Sequence, residues 1–206
     1  MSNFVIGFSG KMGAGKNYIA EKILPELFDD RYRVHYLAFG DQIKFEIAAR
    51  FPEYDYHDLF VNKPPEVRKL LQEYATEFGR QVYGANMWIY ALNVRLHLLY
   101  KTRIPGKINI YVITDVRFRN ELEWVEENDG IVIRVDAPLR TAGTENAHVS
   151  ETELDNHPFK YRINNDPGAE SQKSELTAHI MSRFEIGLPT ANSLQTSGQR
   201  STSSQL

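Results

Sequence analysis

The first apolar run of the chain, Phe4-Val5-Ile6-Gly7-Phe8, stops abruptly at Ser9-Gly10, a pattern that predicts a buried parallel strand entering a glycine-rich turn. Beyond Lys16 the apolar period changes. Ile19, Ala20, Ile23, Leu24 and Leu27 recur at helical spacing, with Pro25 as the residue that ends or kinks the helix early. Val34 to Phe39 reads as a second strand. Asp41 is placed to cap a helix carrying Ile43, Ile47 and Ala48, and Pro64-Pro65 opens a longer helix running to Val82. Another helix is predicted from Met87 to Leu99. Strand patterns return at Ile108 to Thr114 and Ile131 to Val135, separated by a helical segment from Leu122 to Glu127 and the turn Asp129-Gly130. A short strand at Tyr161-Arg162-Ile163 and a last helix from Glu170 to Phe184 complete the series.

Strands alternating with helices imply a parallel sheet covered on both faces, because parallel neighbours require crossover connections. The predicted class is α/β, with ligands gathering at the carboxyl ends of the strands. Residues 136–158 have no sustained periodicity and read as a mobile excursion of the kind that forms a lid. Residues 187–206, rich in Ser, Thr and Gln, read as a disordered tail, which leaves 1–186 as one domain.

Composition narrows the chemistry. A length of 206 residues with 42% hydrophobic content suits one α/β domain. The net charge of -3 provides no basic tract for a nucleic-acid polymer, so an anionic ligand must be small and met by a local cluster. With no cysteine, thiolate metal sites, disulfides and cysteine nucleophiles are excluded, and a reducing, cytoplasmic setting is the expectation. Met1 to Ser9 reads as a strand rather than a signal peptide, and no segment is apolar and long enough to span a bilayer. The six histidines lack metal-ligand spacing.

Gly10-Lys11-Met12-Gly13-Ala14-Gly15-Lys16 fits the pattern G-x-x-x-x-G-K and lies between a predicted strand and a predicted helix, the context the phosphate loop requires. Glycines let backbone N–H groups turn inward around phosphates, the helix N-terminus adds a favourable dipole, and Lys16 can bridge the β- and γ-phosphates. Asn17 stands where Ser or Thr usually meets Mg²⁺; its amide oxygen could take that place. Asp115 ends an apolar strand, positioned to hold Mg²⁺ through water, to orient a substrate group, or to cap the following helix.

Together with His148-Val149-Ser150-Glu151, the segments Phe8 to Lys16 and Ile113-Thr114-Asp115-Val116-Arg117-Phe118-Arg119-Asn120-Glu121 resemble the deoxynucleoside monophosphate kinases of bacteriophages and large viruses. Animal-type phosphomevalonate kinases are similar too. The resemblance runs from Phe4 to Phe184 and implies a three-layer P-loop NTPase core of the adenylate-kinase type, with acceptor-binding helices and a lid. It implies Mg²⁺-ATP as donor and a phosphate ester as acceptor, here a deoxynucleoside monophosphate. For a viral protein the setting becomes the host cytoplasm, and a homodimer is allowed.

Further candidates surround this centre. Arg117 and Arg119 offer planar guanidinium groups for phosphate oxygens, Arg119 being equally a solvated helix residue, and Glu121 can anchor Arg117 at i,i+4. Arg68, Gln72, Thr76 and Arg80 form one polar helix face, either a wall toward the acceptor or merely wet; the resemblance favours Arg80, through the pair Gly79-Arg80. Trp88 can stack on a base or belong to the core. Lys44 can reach a phosphate, Arg140 can close over the ATP phosphates, and Ser150-Glu151 can bind ligand or start a helix through the capping pair Ser150 and Glu153. A nucleotide-binding switch that hydrolyses ATP poorly is the reading from another class.

Overall fold

Five parallel strands form the central sheet of the computed structural model, which describes residues 3–143, 148–168 and 171–184. Strands β1 (Asn3–Ser9), β2 (Tyr32–Leu37), β3 (Ile108–Ile113), β4 (Ile131–Asp136) and β5 (Tyr161–Asn164) stand in the order β2-β3-β1-β4-β5. Each pairing is parallel, with Phe4 opposite Ile110, Gly7 opposite Val132, Tyr36 opposite Val112 and Val135 opposite Ile163.

Period-two alternation along these strands sorts the apolar side chains onto two faces. Val5, Tyr111, Ile113 and Val132 share one core cluster with Ile47, Val67, Trp88, Leu92, Leu122 and Val125 from helices. Ile6, Phe8, Ile110, Val112, Ile133 and Ile163 share the other with Ile19, Leu24, Leu176 and Ile180. Helices on both faces make three layers, as the alternating pattern predicts.

Helix α1 is continuous through Lys16–Tyr18, Ile19–Ile23 and Leu24–Leu27, tightening to i,i+3 bonding at Pro25. Next come α2 (Asp41–Arg50), the wide single turn α3 (His57–Asn62), and α4, which runs from Pro65–Glu73 through Tyr74–Arg80 to Gln81–Tyr83. They are followed by α5 (Met87–Lys101), α6 (Arg119–Glu127), the short α7 (Pro138–Thr141) and α8 (Val149–Thr152), and α9 (Gln172–Phe184).

Local expectations are corrected at several points. The turn α3 has no strong apolar period and was not predicted. Asp41 is the first helical residue of α2 rather than its cap; the cap is Gly40, without a side-chain bond of its own. In α8 the cap is His148, whose Nδ1 accepts the N–H of Ser150 at 3.2 Å, so Ser150 is not the capping residue. The excursion over 136–158 contains α7 and α8 and is tied down by the buried Glu151 and Leu154. Residues 144–147 of that stretch, and the tail 187–206, lie outside the described residues.

Candidate functional site

The loop after β1 takes its path from glycine geometry. Gly10 has φ 146, and a Cβ there would meet the Val135 carbonyl oxygen at 2.4 Å. Gly15 has φ 85, and its Cβ would run into Asn165 Nδ2 at 2.1 Å, the atom that donates to the Ala14 carbonyl at 2.9 Å. Only glycine fits where the loop is pressed against the ends of β4 and β5.

Lys16, at the start of α1, is 8% exposed, and its Nζ donates to the carbonyls of Gly10 at 2.7 Å and Lys11 at 2.9 Å. Burial, and then the Arg117 guanidinium, push its pKa down to about 7; Asp115 opposes the fall and Arg134 adds to it. A desolvated ammonium among further cations favours an anion beside it.

A cavity of about 520 Å³ opens at the carboxyl ends of the strands. From the loop it is lined by Met12, Gly13, Gly15, Lys16 and Asn17, and from beyond β3 by Asp115 and Arg117. Lys44 of α2, Arg68, Gln72, Thr76 and Arg80 of α4, and Trp88 of α5 form the opposite wall. Arg140 of α7, with Ser150 and Glu151 of α8, borders it from the third side.

Within this wall the charges are largely paired. Asp115 accepts the N–H of Phe39 on Oδ1 at 2.8 Å and that of Gly40 on Oδ2 at 2.9 Å, which fastens the end of β2 to the end of β3. Burial still holds its pKa above the ordinary carboxylate value, against the N–H of Gly40 and the charge of Arg117. Glu121 accepts the backbone N–H of Arg117 at 2.8 Å and of Phe118 at 3.1 Å, and pairs with the Arg80 guanidinium. It therefore anchors the backbone of Arg117, whereas the guanidinium of Arg117 pairs with Glu151. Glu151 also accepts the N–H of Met12 at 2.9 Å, so a carboxylate from α8 sits on the glycine-rich loop itself.

Trp88 is 1% exposed, its indole N–H donates to the Ala75 carbonyl at 2.9 Å, and its ring packs on Gly79. It is an inner layer of the wall. Arg119 is not brought to the cavity: it is exposed, pairs with Glu123 at 3.0 Å and gives its N–H to Glu153. Gly10, Lys11 and Ala14 shape the loop without lining the cavity, and Lys11 bonds the Glu151 carbonyl at 2.6 Å and Asp155 at 2.5 Å.

Sequence reasoning missed Lys63, which lines the cavity from the end of α3, and Arg134, buried on β4 between Asp155 at 3.3 Å and Asp136 at 3.6 Å. A positively charged residue inside an apolar strand was the available signal for Arg134. Lys63 carries no signal, since it enters only through the path of a turn.

Among the described residues no cluster of three or more His, Asp or Glu side chains is placed to hold a metal alone. Asn17 and Asp115 at the cavity suit Mg²⁺, which keeps most of its water and takes one or two protein oxygens beside phosphate.

No family model and no curated protein matches the chain. Among solved structures it is similar to TT1252 from Thermus thermophilus, at 16% identity over 89% of this chain and 99% of that one, with a TM-score of 0.45. It is also similar to APE1195, at 18% identity over 87% of this chain and 96% of that one, with a TM-score of 0.39. At these values the likenesses carry no argument about function. No helix among the described residues is long and apolar enough to cross a membrane.

Proposed function

We propose that this chain is a P-loop kinase that transfers the γ-phosphoryl group of Mg²⁺-ATP to a deoxynucleoside monophosphate. The observation that carries the reading is Lys16, a buried ammonium at the head of a glycine-rich loop, facing a cavity at the carboxyl ends of parallel strands. Cation, loop amides and helix start converge there, which is the arrangement phosphate oxygens require.

In this reading the work is positioning and charge neutralisation. Lys16 leaves the loop carbonyls to meet the β- and γ-oxygens, while the N–H groups of Gly13, Gly15 and Lys16 donate to the phosphate chain; that of Ala14 stays with the Lys11 carbonyl at 3.2 Å. Arg140, whose guanidinium donates to the Asn165 carbonyl at 3.4 Å beside Gly15, supplies charge on the donor side. Mg²⁺ on Asn17 and Asp115 would neutralise the bridging oxygens. Glu151 and Glu121 hold Arg117 and Arg80 in fixed positions at the cavity.

A coupled ADP assay tests the proposal across deoxynucleoside monophosphates, with phosphomevalonate as competitor. ADP should form in proportion to added monophosphate, and Lys16→Ala should abolish it. ADP release that ignores every acceptor would point to a switch module. A preference for phosphomevalonate would keep the kinase and change the acceptor.

A further inference from the structure

The cations lining the cavity divide by whether they already have a carboxylate. Arg80 is matched by Glu121, Arg117 by Glu151, and Lys44 by Asp41 at 2.9 Å. Among the described residues the Lys16 ammonium bonds only loop carbonyls, and the Arg140 guanidinium only the Asn165 carbonyl. Lys63 and Arg68 are the other cavity cations without a carboxylate among the described residues. The Lys63 ammonium has no hydrogen-bond or ion-pair partner there, and the Arg68 guanidinium touches only Met12 Sδ at 3.4 Å.

Lys63 is half-buried in this position. Its backbone is left-handed, with φ 47, and its N–H donates to the Asp58 carbonyl at 3.0 Å as α3 gives way to Pro64. Burial, then Lys44 and Arg68, disfavour its charge, while Asp115 and Asp41 favour it. Neither acid pairs with it. Asp115 accepts the Phe39 and Gly40 amides, and Asp41 is shared between Lys44 and Arg95, the latter at 2.7 Å. Lys63 and the exposed Arg68 thus carry like charges without a carboxylate of their own among the described residues, and an anion beside them would offset the cost of burying the Lys63 charge.

We infer that Lys63 and Arg68, flanked by Lys44, form the subsite for the acceptor's anionic group, in place of the carboxylate-paired Arg80 and Arg117. The ligand class is a phosphomonoester dianion, which suits a guanidinium fork and ammonium groups together. The contact of Arg68 with Met12 puts the subsite beside the glycine-rich loop, so that an acceptor phosphate would lie next to the donor phosphates. Arg80 and Arg117 are then positioning residues of the wall. This inference rests on the kinase reading for the word acceptor, but the anion subsite can be tested without catalysis.

Calorimetric titration of dAMP, dGMP, dCMP and dTMP, and of inorganic phosphate, into wild type, Lys63→Met, Arg68→Met and Lys63→Arg would be the test, without ATP. Loss of one charged contact should weaken binding of the preferred monophosphate by about tenfold or more in each Met variant, with Lys63→Arg largely restoring it. Carbon NMR of dimethylated lysines should show the Lys63 signal shifting, and its titration midpoint rising, as the monophosphate or inorganic phosphate is added. Equal affinity in wild type and Lys63→Met, or a Lys63 signal that neither anion moves, would overturn the subsite. Anion binding lost in Lys63→Met from a protein that transfers no phosphoryl group would keep the subsite and sink the kinase reading. Circular dichroism melting of each variant separates these results from misfolding.

Discussion

At the scale of single residues, the buried charges of the cavity make pH a direct probe. The unfolded chain keeps the Lys16 proton to its ordinary value of 10.5, the folded chain only to about 7. Between these values the unfolded state binds more protons, so folding stability rises with pH across that window. The rise should be on the order of a few kcal/mol at most, and should vanish in Lys16→Met when urea unfolding is followed from about pH 7 to 9.5. Glu121 has the opposite sign. Burial raises its pKa from 4.5 to about 7 against the pull of Arg80, so its contribution is full below pH 4.5 and fades as pH climbs through 7. The two slopes occupy different windows and can be read separately in one pH series. Asp115 adds a third residue-scale test. In Asp115→Asn, one of the Phe39 and Gly40 amides would face an NH₂ instead of an oxygen, costing about 1–3 kcal/mol in urea unfolding. Transfer should fall further than this stability loss explains if the carboxylate also serves the metal.

Between elements, the contact of α4 with α5 sets the wall of the cavity. Gly79 lies where an added Cβ would be 2.2 Å from Trp88 Cζ2, and the indole is fixed by its bond to Ala75. Gly79→Ala should gain about 1 kcal/mol of helix propensity and lose about 1–3 kcal/mol to overpacking. Net destabilisation is therefore expected, with an altered Trp88 fluorescence spectrum. Unchanged stability would mean that α5 can slide away from α4, and the wall would be softer than its packing implies. The link between α8 and the loop is of another kind, made of charge. Glu151 holds both Met12 N–H and Arg117, so the position of the glycine-rich loop depends on a residue far away in sequence.

Across the whole molecule, the strand order places β1 between β3 and β4, so that the loop after β1 borders the segments after both neighbours. Asp115 and Arg117 come from one of these segments and Arg140 from the other. If Mg²⁺-ATP binds here, it selects the folded state: at a hundred times its Kd it should add about 2.7 kcal/mol to stability. A thermal shift series would show this as a rising Tm in wild type and none in Lys16→Met. A shift retained in Lys16→Met would move the nucleotide elsewhere.

Local pattern was enough for the strands, for most helices, and for the loop Gly10 to Lys16, because period and glycine spacing are properties of neighbouring residues. It was also enough to bring Lys44, Arg68, Asp115 and Arg117 forward as candidates, as charged residues near strand ends or on a polar helix face, with Arg140 added from the stretch read as a lid and Arg80 favoured by the resemblance. It could not decide which of those charges were already spoken for. Arg80 with Glu121 and Arg117 with Glu151 are pairs across 41 and 34 positions, formed by the order of the strands and the packing of α4, α6 and α8. Lys63 enters the cavity only because α3 ends in a left-handed turn before Pro64, and Trp88 becomes core only because Gly79 lets it in. The sequence thus determined most of the cations offered at the strand ends. Tertiary structure added Lys63 to them and decided which lack a carboxylate partner among the described residues, since charge compensation depends on distance in space and not along the chain.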